Sequence, residues 1–219
     1  MTETIAAERV FVVDDDPAAR KSLGALVRSR GLVCEEYDSA EEFLRAFDGD
    51  APGALVTDLR MDGMDGLRLQ QTLAERGSLL PVIVVSGHAD VSVTVKLMAG
   101  GAVTLLQKPY DELDLLQAIE KALRQNAGAR HYSERIRSIG ARLHSLSDEE
   151  QQVLAMMIEG HANKTMAQEA RTSPRTIDRR RRRVLDEMGV DSVAELVQLV
   201  AEFRHAETRM TGPGHDPSK

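Results

Sequence analysis

Cysteine is almost absent from this chain. Cys34 is the only one among 219 residues, so no internal disulfide framework can form, and at the start of a short apolar run it reads as a small hydrophobe rather than a redox group. Missing too are a basic leader followed by an apolar stretch and any apolar run long enough to span a bilayer. No secretory signal or spanning helix is therefore expected, and the expected location is the cytoplasm, with no membrane partner. The six histidines are scattered, with no pair at metal-ligand spacing, and are assigned no site.

What is present suffices for packed cores: 42% of the residues are hydrophobic. The length allows one large domain or two ordinary ones. The net charge of −7 conceals an asymmetry, because residues 1–125 carry 13 basic against 21 acidic side chains, whereas residues 126–219 carry 15 against 14. Almost half of the basic residues in the second segment fall between Arg171 and Arg183. An acidic first half and a locally very basic second half point to two domains with different partners.

The first half repeats one cycle. Residues 9–13 are continuously apolar, as in a strand buried on both faces of a parallel sheet, and stop at Asp14-Asp15-Asp16-Pro17. Asp16 and Pro17 read as the N-cap and first position of a helix. Strands are then expected at 32–37, 54–57, 81–85 and 103–106. Helices are expected at 39–47, with a Ser39-x-x-Glu42 capping box, and at 67–76, 91–99 and 112–124, the last with Leu113, Leu116, Ala118, Ile119 and Leu123 inward. Parallel strands need crossover helices, so the pattern predicts an α/β fold with a doubly wound five-stranded parallel sheet.

Polar groups fall at the carboxyl ends of four of these strands: Asp14-Asp15, Asp58, Ser86 and Lys108. Ligands bind outside the carboxyl ends of strands in such sheets. For Asp58 alone, a turn-initiating or helix-capping role is the other reading. Carboxylates at ~5 Å in an effective dielectric near 20 repel by roughly 3 kcal/mol per pair. A hard divalent cation with oxygen ligands, Mg²⁺ above all, offsets that repulsion, and with Lys108 it would neutralise a phosphoryl group arriving on Asp58.

The ordered set Val-Val-Asp-Asp-Asp-Pro, Thr-Asp-Leu-Arg-Met-x-Gly-Met-Asp-Gly, Val-Val-Ser-Gly-His and Gln-Lys-Pro resembles the receiver domain of two-component response regulators, a flavodoxin-like fold, over residues 7–125. The resemblance implies that Asp58 is the phosphoacceptor for a histidine kinase and that Asp14 and Asp15 are the acidic pair around the metal. Asp15, Asp58 and the backbone carbonyl of Arg60 would be the direct ligands. It further implies that Lys108, before a cis Pro109, contacts the phosphate and that Ser86 moves toward the acyl phosphate. Three positions depart from the family pattern. Asp62 stands where a proline usually follows the methionine, Leu105 replaces a common aromatic residue, and Gly100-Gly101 weakens the end of the fourth helix.

Residues 126–145 read as a linker with a break at Asn126-Ala127-Gly128-Ala129. Tyr132, Ile136, Ile139 and Leu143 form an apolar seam at helical spacing, lying against its own domain or in a dimer contact. From Ser147 four short helices are expected. The first is opened by a Ser147-x-x-Glu150 capping box, the second by Asn163, the third by Ser173-Pro174 and the fourth by a Ser192-x-x-Glu195 box, with a tight turn between the second and third. The third helix carries five consecutive arginines, 179–183. At 100° per residue they cannot share one face, so Arg181 and Arg180 must lie along the body of the domain, while Arg175, Asp178, Arg179 and Arg182 form the outward face. A helix this basic with an exposed N-terminus meets the requirement for entering a DNA major groove; a merely solvated charge run is the other reading.

Through Leu-Ser-x-x-Glu-x-x-Val-Leu, Gly-x-x-Asn-Lys and Ser-Pro-Arg-Thr-Ile, residues 146–200 resemble the LuxR-type helix-turn-helix of NarL/FixJ-class response regulators. The resemblance implies that Asp178, Arg179 and Arg182 read bases, with Asp178 either accepting from a cytosine amino group or orienting Arg182. It places Lys164, Thr176 and Arg180 on phosphates and Val193, Leu196, Val197 and Val200 in a dimer contact. The expected organisation is a receiver over 1–125, a linker over 126–145, a smaller all-α DNA-binding domain over 146–204 and a disordered tail over 205–219. The expected function is transcription regulation switched by phosphorylation of Asp58, with dimerisation on paired DNA half-sites. Its rivals are DNA binding independent of phosphate, and a phosphate sink whose basic domain binds protein or RNA. No enzyme activity is expected beyond the receiver's own phosphoryl transfer and dephosphorylation, since Asp58-Leu59-Arg60 lacks a second acid two residues on.

Overall fold

The computed structural model describes residues 9–49, 51–87 and 90–210, the side chains of the last two excepted. It divides into two compact units, Met1–His131 and Tyr132–Lys219.

The first unit alternates β1 (Arg9–Val13), α1 (Pro17–Ser29), β2 (Val33–Tyr37), α2 (Ala40–Ala46), β3 (Ala54–Asp58), α3 (Gly66–Glu75), β4 (Val82–Ser86), α4 (Val91–Ala99) and β5 (Thr104–Gln107) before α5 (Glu112–Ser145). The strands are all parallel in the order β2-β1-β3-β4-β5. Because successive side chains of a strand point to opposite faces, β1 divides between two cores. Phe11 and Val13 join Phe43, Leu55, Leu69 and Leu97 on one side, and Val10 and Val12 join Leu23, Val27, Leu115 and Ile119 on the other. Burial on both faces is what makes the strand continuously apolar. The ring of Phe11 lies 5.5 Å from those of Phe43 and Phe47, a pairing worth about 0.5–1.5 kcal/mol each beyond area burial.

Local signals set the helix starts. Asp16 accepts a hydrogen bond from the Ala18 amide with Pro17 in the first turn, Ser39 accepts from the Glu42 amide, and Asp65 accepts from the Arg68 amide. Half of the expected box at α2 is displaced: the Glu42 carboxylate accepts from the amide of Asp38, one residue before the cap.

α5 differs from expectation in two ways. Leu113 is exposed, and Leu115 takes the inward place; the seam is centred on Leu115, Ile119 and Ala122, from which Leu113 lies about 150° away around the helix. The break expected at 126–129 does not occur, for α5 runs unbroken to Ser145. Asn126 is a buried tie whose Oδ1 accepts from the Gly53 amide at 3.0 Å and whose Nδ2 donates to the Leu79 carbonyl at 2.8 Å. Two such bonds outweigh the propensity loss at Gly128, about 1 kcal/mol.

The second unit takes the end of α5 together with α6 (Asp148–Ile158), α7 (Asn163–Glu169), α8 (Pro174–Met188) and α9 (Val193–Met210). Their core gathers Ile136, Ile139, Val153, Met166, Ile177 and Leu196. The apolar seam of α5 therefore packs within its own unit through Ile136 and Ile139, while Tyr132 stays exposed. Gly140 lets α9 approach, because a Cβ there would stand 2.8 Å from the Phe203 ring. The Ser147–Glu150 capping box forms in both directions, and Ser173 caps α8 ahead of Pro174. Asn163 is not the cap of α7. Ala162 is, without a side-chain bond, because the Asn163 amide is engaged elsewhere. The tail expected to be disordered from His205 is helical to Met210, with Ala206 buried in the core; Gly212, Pro213 and Gly214 lie outside the described residues.

Candidate functional site

The sheet order reverses direction between β1 and β3, and the crevice at their carboxyl ends is where such folds place a ligand. Asp14 follows β1, and Asp58 closes β3. Both are nearly buried, at 1% and 8% exposure. Lys108, just past β5, reaches back between them, its Nζ standing 2.6 Å from Asp58 Oδ1 and 3.1 Å from Asp14 Oδ2. The remaining carboxylate oxygens are also occupied. The Arg60 amide donates to Asp58 Oδ2 at 2.6 Å, and the Asp16 amide donates to Asp14 Oδ1 at 2.9 Å. Ser86, the last residue of β4, is buried at the same rim, and its carbonyl accepts from the Lys108 amide at 2.7 Å. The Lys108–Pro109 peptide is cis.

The electrostatics follow from this packing. Burial raises the Asp14 carboxyl above its usual range, with the nearby Asp58 adding to the rise, although the Asp16 amide and Lys108 pull the other way. Burial opposes charge on Lys108, yet the hydrogen bonds to Asp58 and Asp14 outweigh it and hold the ammonium above the ordinary lysine value. Lys108 is thus a fixed cation beside Asp58.

Asp15 is placed differently from its two neighbours. It is exposed, and its Oδ2 accepts from the Asp62 amide at 2.9 Å. Among the described residues no three His, Cys, Asp or Glu side chains are gathered closely enough to hold a metal ion. The donor chemistry does suit a hard cation, since Asp14, Asp15, Asp58 and the Arg60 carbonyl offer only oxygen. The Asp62 amide engages one Asp15 oxygen, Oδ2.

Two supporting contacts were not legible in the sequence. Arg20 donates to the Asp14 carbonyl at 2.6 Å, and Glu41 of α2 accepts from the Met64 amide at 2.9 Å, bracing the loop after Asp58. Neither breaks a periodic pattern, so no local signal marks them.

In the second unit Arg175, Asp178, Arg179 and Arg182 are exposed on α8, whereas Arg180 and Arg181 are half-buried. Ser173, Arg175, Thr176, Asp178, Arg179 and Arg182 line a concave surface of about 460 Å³. Among the described residues Arg175, Arg179 and Arg182 have no hydrogen-bonding or ionic partner, so three guanidiniums face outward with all donors free. Arg183 instead pairs with Glu150 of α6 at 2.9 Å. Lys164 is exposed at the start of α7, and Thr176 is half-buried. Asp178 is tied back, because the Asn163 amide nitrogen donates to its Oδ1 while the Asn163 amide oxygen accepts from Arg181 Nη1.

The dimer residues expected on α9 separate into two faces. Leu196 and Val200 are buried in the unit's own core, at 0% and 4% exposure, and Val193 is half-buried against it; only Val197 is exposed. The stripe at 193, 196 and 200 is apolar because it packs on α6 and α8. An outer contact through α9 has to use the opposite side, where Ala194, Val197, Gln198 and Ala201 are exposed.

A buried carboxylate–lysine crevice on a doubly wound sheet, in one chain with a helix-turn-helix that presents free arginines, defines a phosphoacceptor module coupled to a nucleic-acid-binding module. Comparison with known families agrees in both halves. Residues 10–120 match the response regulator receiver domain, and residues 144–200 match the luxR family of bacterial regulatory proteins. The chain is 40% identical to the transcriptional regulatory protein FixJ of Bradyrhizobium diazoefficiens over 190 residues, covering 87% of this chain and 93% of that one. It is 37% identical to the response regulator protein TodT of Pseudomonas putida over 198 residues, covering 90% and 87%. Among solved structures, response regulator StyR aligns with a TM-score of 0.84 at 38% identity over 90% of this chain and 100% of that one. Full-length FixJ from B. japonicum aligns with a TM-score of 0.55 at 38% identity, covering 90% and 98%. The chain belongs to the two-component response regulators of the NarL/FixJ class, phosphorylation-controlled transcription regulators with a receiver and a LuxR-type DNA-binding domain.

Proposed function

We propose that Asp58 is the residue phosphorylated and that α8 is the element that reads DNA. An Asp58 oxygen attacks the phosphorus of a histidine kinase's phosphohistidine, the phosphorus–nitrogen bond breaks, and an acyl phosphate forms on the carboxylate. The single observation carrying this reading is Lys108 Nζ at 2.6 Å from Asp58 Oδ1, a preorganised cation where the phosphoryl oxygens gain charge. Asp15, Asp58 and the Arg60 carbonyl would hold Mg²⁺, with Asp14 beside them; when bound it supplies further charge neutralisation for the phosphoryl group. Ser86, at the rim, turns its hydroxyl toward the new phosphate.

The output rests on population shift. To move a DNA-binding form from 1% to half of the molecules, the acyl phosphate must favour it by about 2.7 kcal/mol, within reach of one set of charge-assisted hydrogen bonds. Arg175, Arg179 and Arg182 then face the major groove, and Lys164, Thr176 and Arg180 face phosphates. Two copies meet through the outer side of α9 around Val197 to span paired half-sites. No helix among the described residues is long and apolar enough to cross a membrane, and we place the protein in the cytoplasm.

Mass spectrometry after incubation with a small acyl-phosphate donor and Mg²⁺ tests the assignment. One added phosphate is expected on Asp58 and none in Asp58→Asn. Label on another residue, or equal operator affinity for wild type and Asp58→Asn with and without donor, would overturn phosphate control at this position while leaving DNA binding intact.

A further inference from the structure

The side-chain bridge between the two helices of the reading head bears on which residues set DNA specificity. Asn163 is the first residue of α7, adjacent to Lys164, while Asp178 and Arg181 stand one turn apart on the flank of α8 that faces α7. The amide of Asn163 is used at both ends. Its nitrogen donates to Asp178 Oδ1, and its oxygen accepts from Arg181 Nη1 at 2.5 Å. Chemistry fixes the amide's orientation, since a guanidinium only donates and a carboxylate only accepts. A flipped amide would lose both bonds.

This arrangement leaves the four outward residues of α8 unequal. Arg175, Arg179 and Arg182 are free among the described residues, whereas Asp178 already has one oxygen engaged within the protein. A carboxylate held to the neighbouring helix is a poor reader of a base edge but a good strut, for it sets the distance between α8 and the start of α7. It also sets Lys164, next to Asn163, relative to the arginines. Base contacts position specificity, and phosphate contacts position the helix, so a strut joining the two governs several base positions together.

Resting on the DNA-reading role of α8, we infer that Asn163, Asp178 and Arg181 form a positioning clamp. Asp178 acts through Asn163 and touches no base, and direct recognition falls to the free arginines, whose forks match the O6 and N7 acceptors of guanine. The sites this chain selects are therefore guanine-containing at two or more positions per half-site, with no position assigned to Asp178.

The test is selection of bound sequences from random duplex DNA by the full phosphorylated chain, followed by affinity measurement on the selected site. Asn163→Asp keeps the acceptor for Arg181 but sets two carboxylates against each other. It is expected to weaken binding about tenfold, a coupling usual within one hydrogen-bond network, and to flatten preference at more than one position. Asp178→Ala should do the same. Asp178→Asn still accepts from Asn163 and should keep the wild-type preferences. The paired change Asn163→Asp with Asp178→Asn restores a donor–acceptor match, since the new amide at 178 donates to the new carboxylate at 163, and should recover binding. Thermal melting of each variant checks folding, and the paired variant keeps the comparison informative if Asn163→Asp is unfolded.

The clamp is overturned if Asp178→Asn alone changes the preferred base at a single position whatever stands at 163, or if the paired change fails to recover binding while folded. A wild-type chain that selects no sequence at all would instead sink the DNA-reading role on which the clamp rests.

Discussion

The two halves treat charge in opposite ways. At the strand ends of the receiver, two carboxylates are drawn out of water, each accepting from a backbone amide, and one ammonium pairs with both within 3.1 Å. On α8 three arginines project into solvent with no partner among the described residues. A group that must have its reactivity tuned is buried among opposite charges, where the effective dielectric is low. A group that must meet an incoming polyanion is left exposed, since it releases the nucleic acid's counterions only on contact. The same chain thus builds a preorganised reaction crevice and an open electrostatic surface.

The contrast is broken most directly by removing one cation from each half. Lys108→Ala leaves Asp14 and Asp58 facing each other without compensation, and urea unfolding without Mg²⁺ should show the receiver transition destabilised by about 2 kcal/mol. That is below the full effect of breaking a buried pair because Lys108 is 30% exposed. Arg182→Ala should leave stability within about 0.5 kcal/mol yet weaken specific DNA binding by roughly 1–3 kcal/mol. A stable Lys108→Ala or an unfolded Arg182→Ala would erase the distinction.

Neutral polar burial gives the next effect. Asn126→Ala orphans the Gly53 amide and the Leu79 carbonyl and should destabilise the receiver by about 1–3 kcal/mol. Gly128→Ala, two residues on, meets nothing within 4 Å and should stabilise α5 by about 0.5–1 kcal/mol. The pair separates a buried tie from helix propensity in a single unfolding series.

Acid sharpens the comparison within the helical unit. The Ser147 amide, then its hydroxyl and Arg183, hold the Glu150 carboxyl below its ordinary value of 4.5. A carboxyl depressed on folding contributes stability above the unfolded value and loses it as pH falls through the folded one. The helical transition should therefore weaken on acidification below about pH 4.5, and Glu150→Gln should flatten that dependence, as read by helical ellipticity against pH. The smallest effect concerns Cys34, whose thiol burial pushes up to about 11. Alkylation at neutral pH should be much slower than for a free thiol in the unfolded chain.

Much of this was legible in the residue order. The strands, their parallel sheet and the carboxylates at their ends were readable because a continuously apolar run followed by a charged turn is a local pattern. Ser147-x-x-Glu150 and Ser173-Pro174 announced their helices for the same reason, since a cap acts within four residues of itself. Periodicity failed where two faces of one helix were both apolar. It could not tell that Leu115 rather than Leu113 turns inward, or that Leu196 and Val200 belong to the core and Val197 to the surface.

The amino-acid order by itself determined which segments become strands and helices, where each begins, and which acidic and basic groups end up at strand termini or on α8. Those outcomes depend on backbone propensity and neighbours a few residues away. Only the tertiary structure decided that Asn126 joins α5 to two loops rather than interrupting it, that Asp62 holds Asp15, and that Asn163 ties down Asp178. Each of these joins groups from 15 to 73 positions apart, and a hydrogen bond between distant residues leaves no trace in sequence until packing brings donor and acceptor within about 3 Å.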